Sequence, residues 1–401
     1  MIGQRKRRVL VITASANQVP VILKARSLGL EVVATDRDAG APGLAVADVA
    51  EVLDSEDLRG TLAIARRYQV TGVITEQTDV AVPTAAYVAE ELGLPGIGYN
   101  VSIAATNKWV MRERCRKAGM PTPQYALAKS LPEAIAAARE IGLPVVIKPI
   151  SNQASRGVAK IWDIGDIPEW FEKAWRFSRG NPVLIEEMMV GTESSVESFV
   201  ENGNIRVLAI CDKTKCPPPY SYDLQLVYPG LFPDEILTSL HRMNELAIRA
   251  VGITIGITHA EFMVTSQGVR LIEIAARGCG ARVATELIPA MTGVDLMAAR
   301  IRQAVGDTHG SIDPLYRKSG VLKFFIFPKG RVKSIHHFEQ ALQIEGVVNL
   351  VLNVKTDDII GPVESGDARH GYVLTVAGTR EEALSVVEDV AQTLQIEIDT
   401  S

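Results

Sequence analysis

Along the first third of the chain, short apolar runs alternate with stretches whose apolar residues recur at helical spacing. RVLVIT at 8–13, EVVAT at 31–35, VAEVL at 49–53, GVITE at 72–76 and PGIGY at 95–99 read as strands. VPVILKARSL, LRGTLAIARRY and VAVPTAAYVAEELG read as helices between them. This alternation predicts a parallel sheet covered by helices on both faces. The helix TNKWVMRERCRKAG stops at Gly119, and MPTPQY after it is punctuated by proline. A domain boundary is expected there, with residues 1–120 as an α/β unit.

From 121 to 310 the pattern is α+β. The helix LPEAIAAAREIG leads into the strand PVVIKPI, then a loop of small and polar residues, SNQASRGVAKI. PVLIEEMMVGTESSVESFV reads as strand, tight turn and strand, and KTKCPPPYSYDLQLVYPGLFP as one long shaped loop. Helix DEILTSLHRMNELAIRAVG precedes two strands, THAEFMV and VRLIEIA, joined by the polar turn Ser266-Gln267-Gly268. Residues 311–401 read as a small separate α/β lobe that closes the site. Its strands are GVLKFFIFPKGRV, VVNLVLNV and GYVLTVAG, and its last helix is capped by Thr379 with Glu382 three residues on.

Composition narrows the class without naming it. A hydrophobic content of 47% and a charged content of 22% are those of an ordinary globular protein. A net charge of −5 and a pI near 5.8 argue against general nucleic-acid binding. Four cysteines with no CxxC pair fit a reduced, cytoplasmic protein rather than a disulfide framework. QRKRR followed by VLVITASA imitates a signal peptide, but the apolar run is short and a β-α-β pattern continues from it. No run approaches the ~18 apolar residues of a membrane span.

The chemistry gathers at the two late strands. If Thr265 pairs with Val269, Glu261 stands opposite Glu273 and both point to one face. Like charges about 5 Å apart across a strand pair need a cation between them. Mg²⁺ suits two carboxylates on rigid strands; the alternative is a solvated acidic pair. Arg277, Gly278, Gly280 and Arg282 follow at once. Upstream, Lys108 sits in a helix's first turn against the helix dipole, and Lys148 lies inside an apolar strand, where lysine is rare without a partner. The loop Ser155-Arg156-Gly157-Val158 has the small residues that admit an anion to backbone N–H groups, without the G-K-[ST] of a Walker A motif. Met189 could offer its backbone to a flat heterocycle and Glu193 could accept from sugar hydroxyls, or the segment could be a plain hairpin. Asp36 ends the second strand, but the ASANQ loop lacks G-x-G-x-x-G, so no NAD site is expected. Glu76 and Asp79 end the fourth strand, where open α/β sheets bind ligands; a cap or a loop acid is an equal reading.

Taken in order, the helix lysine, the PVVIKP lysine, the small-residue loop, the IEE…GTE hairpin and the late E…E-x-x-x-R pair resemble the ATP-grasp superfamily over essentially the whole chain. The three-part layout resembles its biotin-carboxylase-like members, with a Rossmann-like N-terminal domain, a central ATP-grasp domain and a C-terminal lobe. LTVAGTREEALSVVED and the Pro-rich loop resemble the L-amino-acid ligase branch. The resemblance implies that Lys108 and Lys148 hold the ATP phosphates and that Ser155, Arg156, Gly157 and Val158 fold over them. It implies Glu186, Glu187 and Met189 as the adenine hinge, Glu193 on the ribose, and Glu261 and Glu273 as ligands of Mg²⁺, or of Mn²⁺ in its place. Arg277 would neutralise the transferred phosphate or the substrate carboxylate. Glu76 and Arg282 are further candidate substrate contacts, and His259, on the strand face of Glu261, either touches substrate or a metal-bound water or is a packed structural histidine. Many members have Asn where this chain has Ala275, which puts a second metal's coordination in doubt.

The activity so implied is ATP-dependent ligation of a small carboxylate, such as an amino acid, to an amine through an acyl phosphate, in a homodimer without membrane or nucleic-acid partners. Two other readings remain at this stage. One is a purine- or biotin-carboxylase-type ligase of the same superfamily. The other is a nucleotide-binding sensor without catalysis. Cys279, with no base beside it in sequence, reads as a small residue beneath the phosphates.

Overall fold

The computed structural model describes residues 7–400; residues 1–6 and 401, including part of the leader-like basic head, lie outside the described residues. Four parallel strands, Arg8–Ile12, Glu31–Asp36, Val49–Val52 and Gly72–Ile74, form the first sheet in the spatial order third, second, first, fourth. Alternation along the first strand explains its two layers. Val9 and Val11 pack with Val21, Ile22 and Ala25 of helix Val19–Ser27. Leu10 and Ile12 pack on the other face with Leu62, Ile64 and Ala65 of helix Leu58–Tyr68. An apolar parallel strand needs both faces covered. The run at 95–99 is not a strand: Gly98, at φ +80°, turns the chain into helix Tyr99–Thr106.

Two antiparallel sheets carry most of the rest. The smaller holds Tyr125–Ala128, Val183–Glu187, Val145–Pro149 and Ala159–Ile161 in that spatial order, backed by helices Leu131–Ile141 and Ile167–Phe177. The larger has eight strands. Across it run Gly268–Ala275, Gly256–Thr265, Thr192–Glu201, Asn204–Lys215, Asp223–Tyr228, Ser319–Phe325, Gly371–Ala377 and Val347–Leu352.

Three expectations change here. The IEE…GTE segment is no hairpin, because its two strands belong to different sheets and residues 188–191 are the crossing between them. The long loop beginning at Lys213 contains two strand segments: Asn204–Lys215 pairs with Asp223–Tyr228, and 216–222 turn between them around the prolines. Burial of Leu226, Val227 and Tyr228 in the sheet outweighs the loop-like composition around them. The chain after residue 310 does not stand apart, since three of its strands extend the large sheet. Its remaining strands, Gly330–His336, Ile359–Ile360 and Gln395–Asp399, make a small sheet of their own. Helix Arg380–Thr393 has the expected capping box at Thr379 and Glu382. No helix among the described residues is long and apolar enough to cross a membrane.

Candidate active site

Glu261 and Glu273 are cross-strand partners, by a route the sequence did not suggest. The turn has two residues, Ser266 and Gln267, with Thr265 opposite Gly268 at φ +109°. Continued regularly, that register would set Ile272 opposite Glu261 and turn Glu273 to the other face. A bulge at Ile272 inserts one residue and returns Glu273 to Glu261. Both carboxylates then line one cavity between the two antiparallel sheets.

Each is met by a lysine. Lys108 Nζ lies 3.0 Å from Glu273 Oε2 and also donates to the Asn152 carbonyl at 2.8 Å. Lys213 Nζ bonds Glu261 and reaches Asp223 at 3.5 Å and Glu193 at 3.7 Å. Lys215, two residues along the same strand and therefore on the same face, donates to Glu193 at 3.0 Å and Asp223 at 2.8 Å. Burial works against the charge on Lys213, but Asp223, Glu261 and Glu193 outweigh it and raise its pKa well above the ordinary lysine value. Burial likewise opposes Glu261, yet Lys213 chiefly, with His259, holds its carboxyl well below the usual range. Two carboxylates paired on adjacent strands of one face offer the hard oxygen donors that fit Mg²⁺.

The expected hinge residues divide. Glu186 is buried and faces inward, where Arg112 Nε donates to it at 2.7 Å and Lys148 Nζ forms a second ion pair. Burial pushes the Glu186 carboxyl up, but Arg112 and Lys148 prevail and hold it at about 2. Burial lowers Lys148 despite this partner. Glu187 instead accepts from the Gln124 backbone at 3.0 Å and from Arg270 at 3.2 Å, while Met189 lines the cavity at the crossing. Across from them, Ser155 donates to the Ser221 carbonyl at 2.9 Å, and Arg156 pairs with Asp367 at 3.1 Å. Gly157 has φ +72°, and a Cβ there would lie 2.8 Å from Phe177. Lys108, Lys148, Ser155, Arg156, Val158, Glu186, Glu187, Met189, Glu193, Glu261 and Glu273 thus all line the same cavity; Gly157 supports the loop.

The expected substrate contacts are less uniform. Arg277 is clamped by Asp79, with Nε and Nη2 donating at 2.8 and 3.1 Å. Glu76 is fully buried and accepts from the Gly278 N–H at 2.8 Å, with Arg300 at 3.5 Å; it anchors the segment after Arg277. Arg282 turns away to Glu286 at 2.7 Å. His259 is buried, with Nδ1 2.6 Å from Glu197 and Nε2 3.4 Å from Glu261. A second cavity of about 680 Å³ opens beside the first, lined by Asp79, Gln77, Asn107 and Arg179, and the two share Asn152, Gln153 and Arg156.

Sequence reasoning missed Arg112, Glu197, Lys213, Lys215 and Asp223. The K-x-K alternation at 213–215 was the available signal, hidden by assigning that stretch to a loop. Arg112 stands one helical turn after Lys108 and so shares its face; nothing in sequence tied it to Glu186.

Residues 141–286 match the ATP-grasp domain model and residues 323–399 match L-amino acid ligase C-terminal domain 2. The chain is 26% identical over 404 residues to the y4rH protein of Sinorhizobium fredii, covering 97% of this chain and 82% of that one. It is 34% identical over 190 residues to a formate-dependent phosphoribosylglycinamide formyltransferase of Synechococcus, covering 46% of this chain. That match spans 47% of the formyltransferase, so the chain covers about half the length of such relatives. In structure it is similar to an L-amino acid ligase from Bacillus licheniformis, at a TM-score of 0.83 and 21% identity over 99% of this chain and 100% of that one. It is also similar to phosphoribosylglycinamide synthetase from Anaerococcus prevotii, at a TM-score of 0.78 and 17% identity over 98% of this chain and 100% of that one. With the ATP-grasp model falling on the strands that carry most of the cleft, and the second model on the C-terminal strands that extend the large sheet, the chain belongs to the ATP-grasp superfamily and is related to its L-amino acid ligase branch.

Proposed function

We propose that this protein is an ATP-dependent carboxylate–amine ligase acting on an amino acid or a similar small carboxylate. The observation that carries the reading is the Glu261–Glu273 pair, brought to one face by a bulge and ringed by Lys108, Lys213 and Lys215. In this reading Glu261 and Glu273 hold Mg²⁺, which when bound neutralises phosphate charge. Lys108 and Lys148 face the ATP phosphates, and Ser155 to Val158 cover them. The crossing at Glu187 to Met189 takes the adenine, and Glu193 takes the ribose. Glu186 has another part, as the buried counter-ion that holds Lys148 and Arg112 in place. The divisions at about residues 120 and 310 belong to the same proposal, the first supported by the change of sheet near 120 and the second by the separate family match over 323–399, although the strands after 310 share the large sheet.

The chemistry needs charge control more than a nucleophilic side chain. A carboxylate is a poor acylating agent at neutral pH. Attack of its oxygen on the γ-phosphorus releases ADP and leaves an acyl phosphate. The amine nitrogen then attacks the carbonyl carbon, the C–O bond to phosphate breaks, and the amine proton is released to solvent. Preorganised cations stabilise the charge that builds on the phosphoryl oxygens. Arg277 is tied to Asp79, which lines the second cavity, and that 680 Å³ space has the size of a small-molecule site. We place the carboxylate and amine there. A homodimer is the assembly proposed, on the general frequency of two-fold oligomers.

Oxygen-isotope transfer tests the route. A carboxylate labelled with ¹⁸O should deliver one labelled oxygen to inorganic phosphate per turnover. Release of unlabelled phosphate alone would rule out the acyl phosphate.

A further inference from the structure

Beneath the carboxylate pair lie two residues that the ligase chemistry leaves idle, Glu197 and Cys279. Glu197 and His259 are register partners on adjacent strands, so their side chains rise from the same face at a fixed spacing. One oxygen of Glu197 takes His259 Nδ1 at 2.6 Å; the other, Oε2, is buried with no hydrogen-bond partner. Cys279 comes in from the segment after Arg277, held by the Gly278 N–H on Glu76. All three residues are buried, and their ligand atoms lie within 4.8 Å of one another. A base therefore does stand beside Cys279, from a strand twenty residues earlier in sequence.

We propose that Glu197, His259 and Cys279 form a binding site for Zn²⁺, separate from the Mg²⁺ pair above it. The donor set decides the metal. One sulfur, one imidazole nitrogen and one carboxylate oxygen are the ligands zinc takes, whereas Mg²⁺ demands oxygen donors and keeps its waters. Zinc bonds of about 2.0–2.3 Å in a tetrahedron put ligand atoms roughly 3.5 Å apart. The present spread needs a contraction of about 1 Å, within reach of a rotation at Cys279. An orphaned carboxylate oxygen in a buried site is the atom a metal would satisfy. Charge also closes: thiolate and carboxylate balance the dication. Three protein ligands leave a fourth position for water. This inference does not rest on the ligase reading.

Cobalt titration of the chelator-stripped full chain tests it. One equivalent of Co²⁺ should produce a thiolate-to-metal charge-transfer band that Zn²⁺ abolishes and excess Mg²⁺ leaves unchanged. Cys279→Ser should remove the band, Glu197→Gln should weaken binding at least tenfold, and Glu273→Gln should retain the band. A second readout in the unmutated protein guards against a folding defect in the variants. Zinc should slow alkylation of Cys279, followed by mass spectrometry, relative to Cys115, Cys211 and Cys216. A missing band, a band that survives Cys279→Ser, or unselective protection of the four thiols would overturn the site.

Discussion

Glu186 shows how much a single side chain can decide in this cleft. It neutralises two buried cations, Arg112 and Lys148, from strands and helices 74 and 38 residues away in sequence. Glu186→Gln leaves both cations buried with no counter-charge, at a cost of about 3–5 kcal/mol. The expected outcome is a large drop in the urea midpoint; a variant as stable as the parent would contradict the network. The acid limb follows from the same pair. The Glu186 pKa falls from an ordinary 4.5 to about 2 on folding, so its stabilisation is complete above 4.5 and is lost as pH falls toward 2. Urea midpoints measured from pH 6 to pH 2 should decline across that window, and Glu186→Gln should flatten part of the decline. Lys148, Glu261 and Glu273 were legible because charge inside an apolar strand is costly and therefore noticeable, whereas Lys213, Lys215 and Asp223 were hidden by the loop-like composition around them. The inward turn of Glu186 was not legible, because adjacent acids on a strand face opposite ways and only the tertiary partner says which way is in.

At the scale of elements, the bulge at Ile272 and the loop at 155–158 do the positioning. The sequence pattern placed Glu261 opposite Glu273 with a three-residue turn; the protein reaches that pairing with a shorter turn and an inserted residue. Turn length and bulge offset one another in the count, and only the pairing of backbones tells them apart. The same blindness joined two strands of different sheets into a hairpin at 183–201, since a turn and a crossing have similar composition. Gly157 carries a testable consequence. At φ +72°, and with Phe177 2.8 Å from a built Cβ, Gly157→Ala strains the loop by roughly 1 kcal/mol or more. The expected result is a several-fold rise in KM for ATP with faster proteolytic cutting between 150 and 158. Unchanged KM and cutting would remove the loop from the nucleotide site.

For the whole molecule, the cleft lies where the small sheet, the large sheet and the first domain meet, so nucleotide binding should stabilise the fold as a unit. Mg-ATP at 100 times its Kd should add about 2.7 kcal/mol. That should appear as a rise in Tm that is lost on adding EDTA and reduced in Glu261→Gln. A Tm rise indifferent to EDTA would separate the nucleotide from the metal acids. The layer order, with a parallel sheet first and antiparallel sheets after it, could be read from the alternation of patterns. The sharing of the large sheet by the C-terminal strands could not, because edge-to-edge pairing of distant strands leaves no mark on either.

The central claim, that this cleft spends ATP to activate a carboxylate, is tested most directly by its nucleotide product. Purified protein with Mg-ATP and pooled amino acids, other small carboxylates and amines should yield ADP and phosphate. The yield should depend on the pool and fall on the order of a hundredfold or more in Glu273→Gln. AMP with pyrophosphate would contradict the acyl-phosphate account.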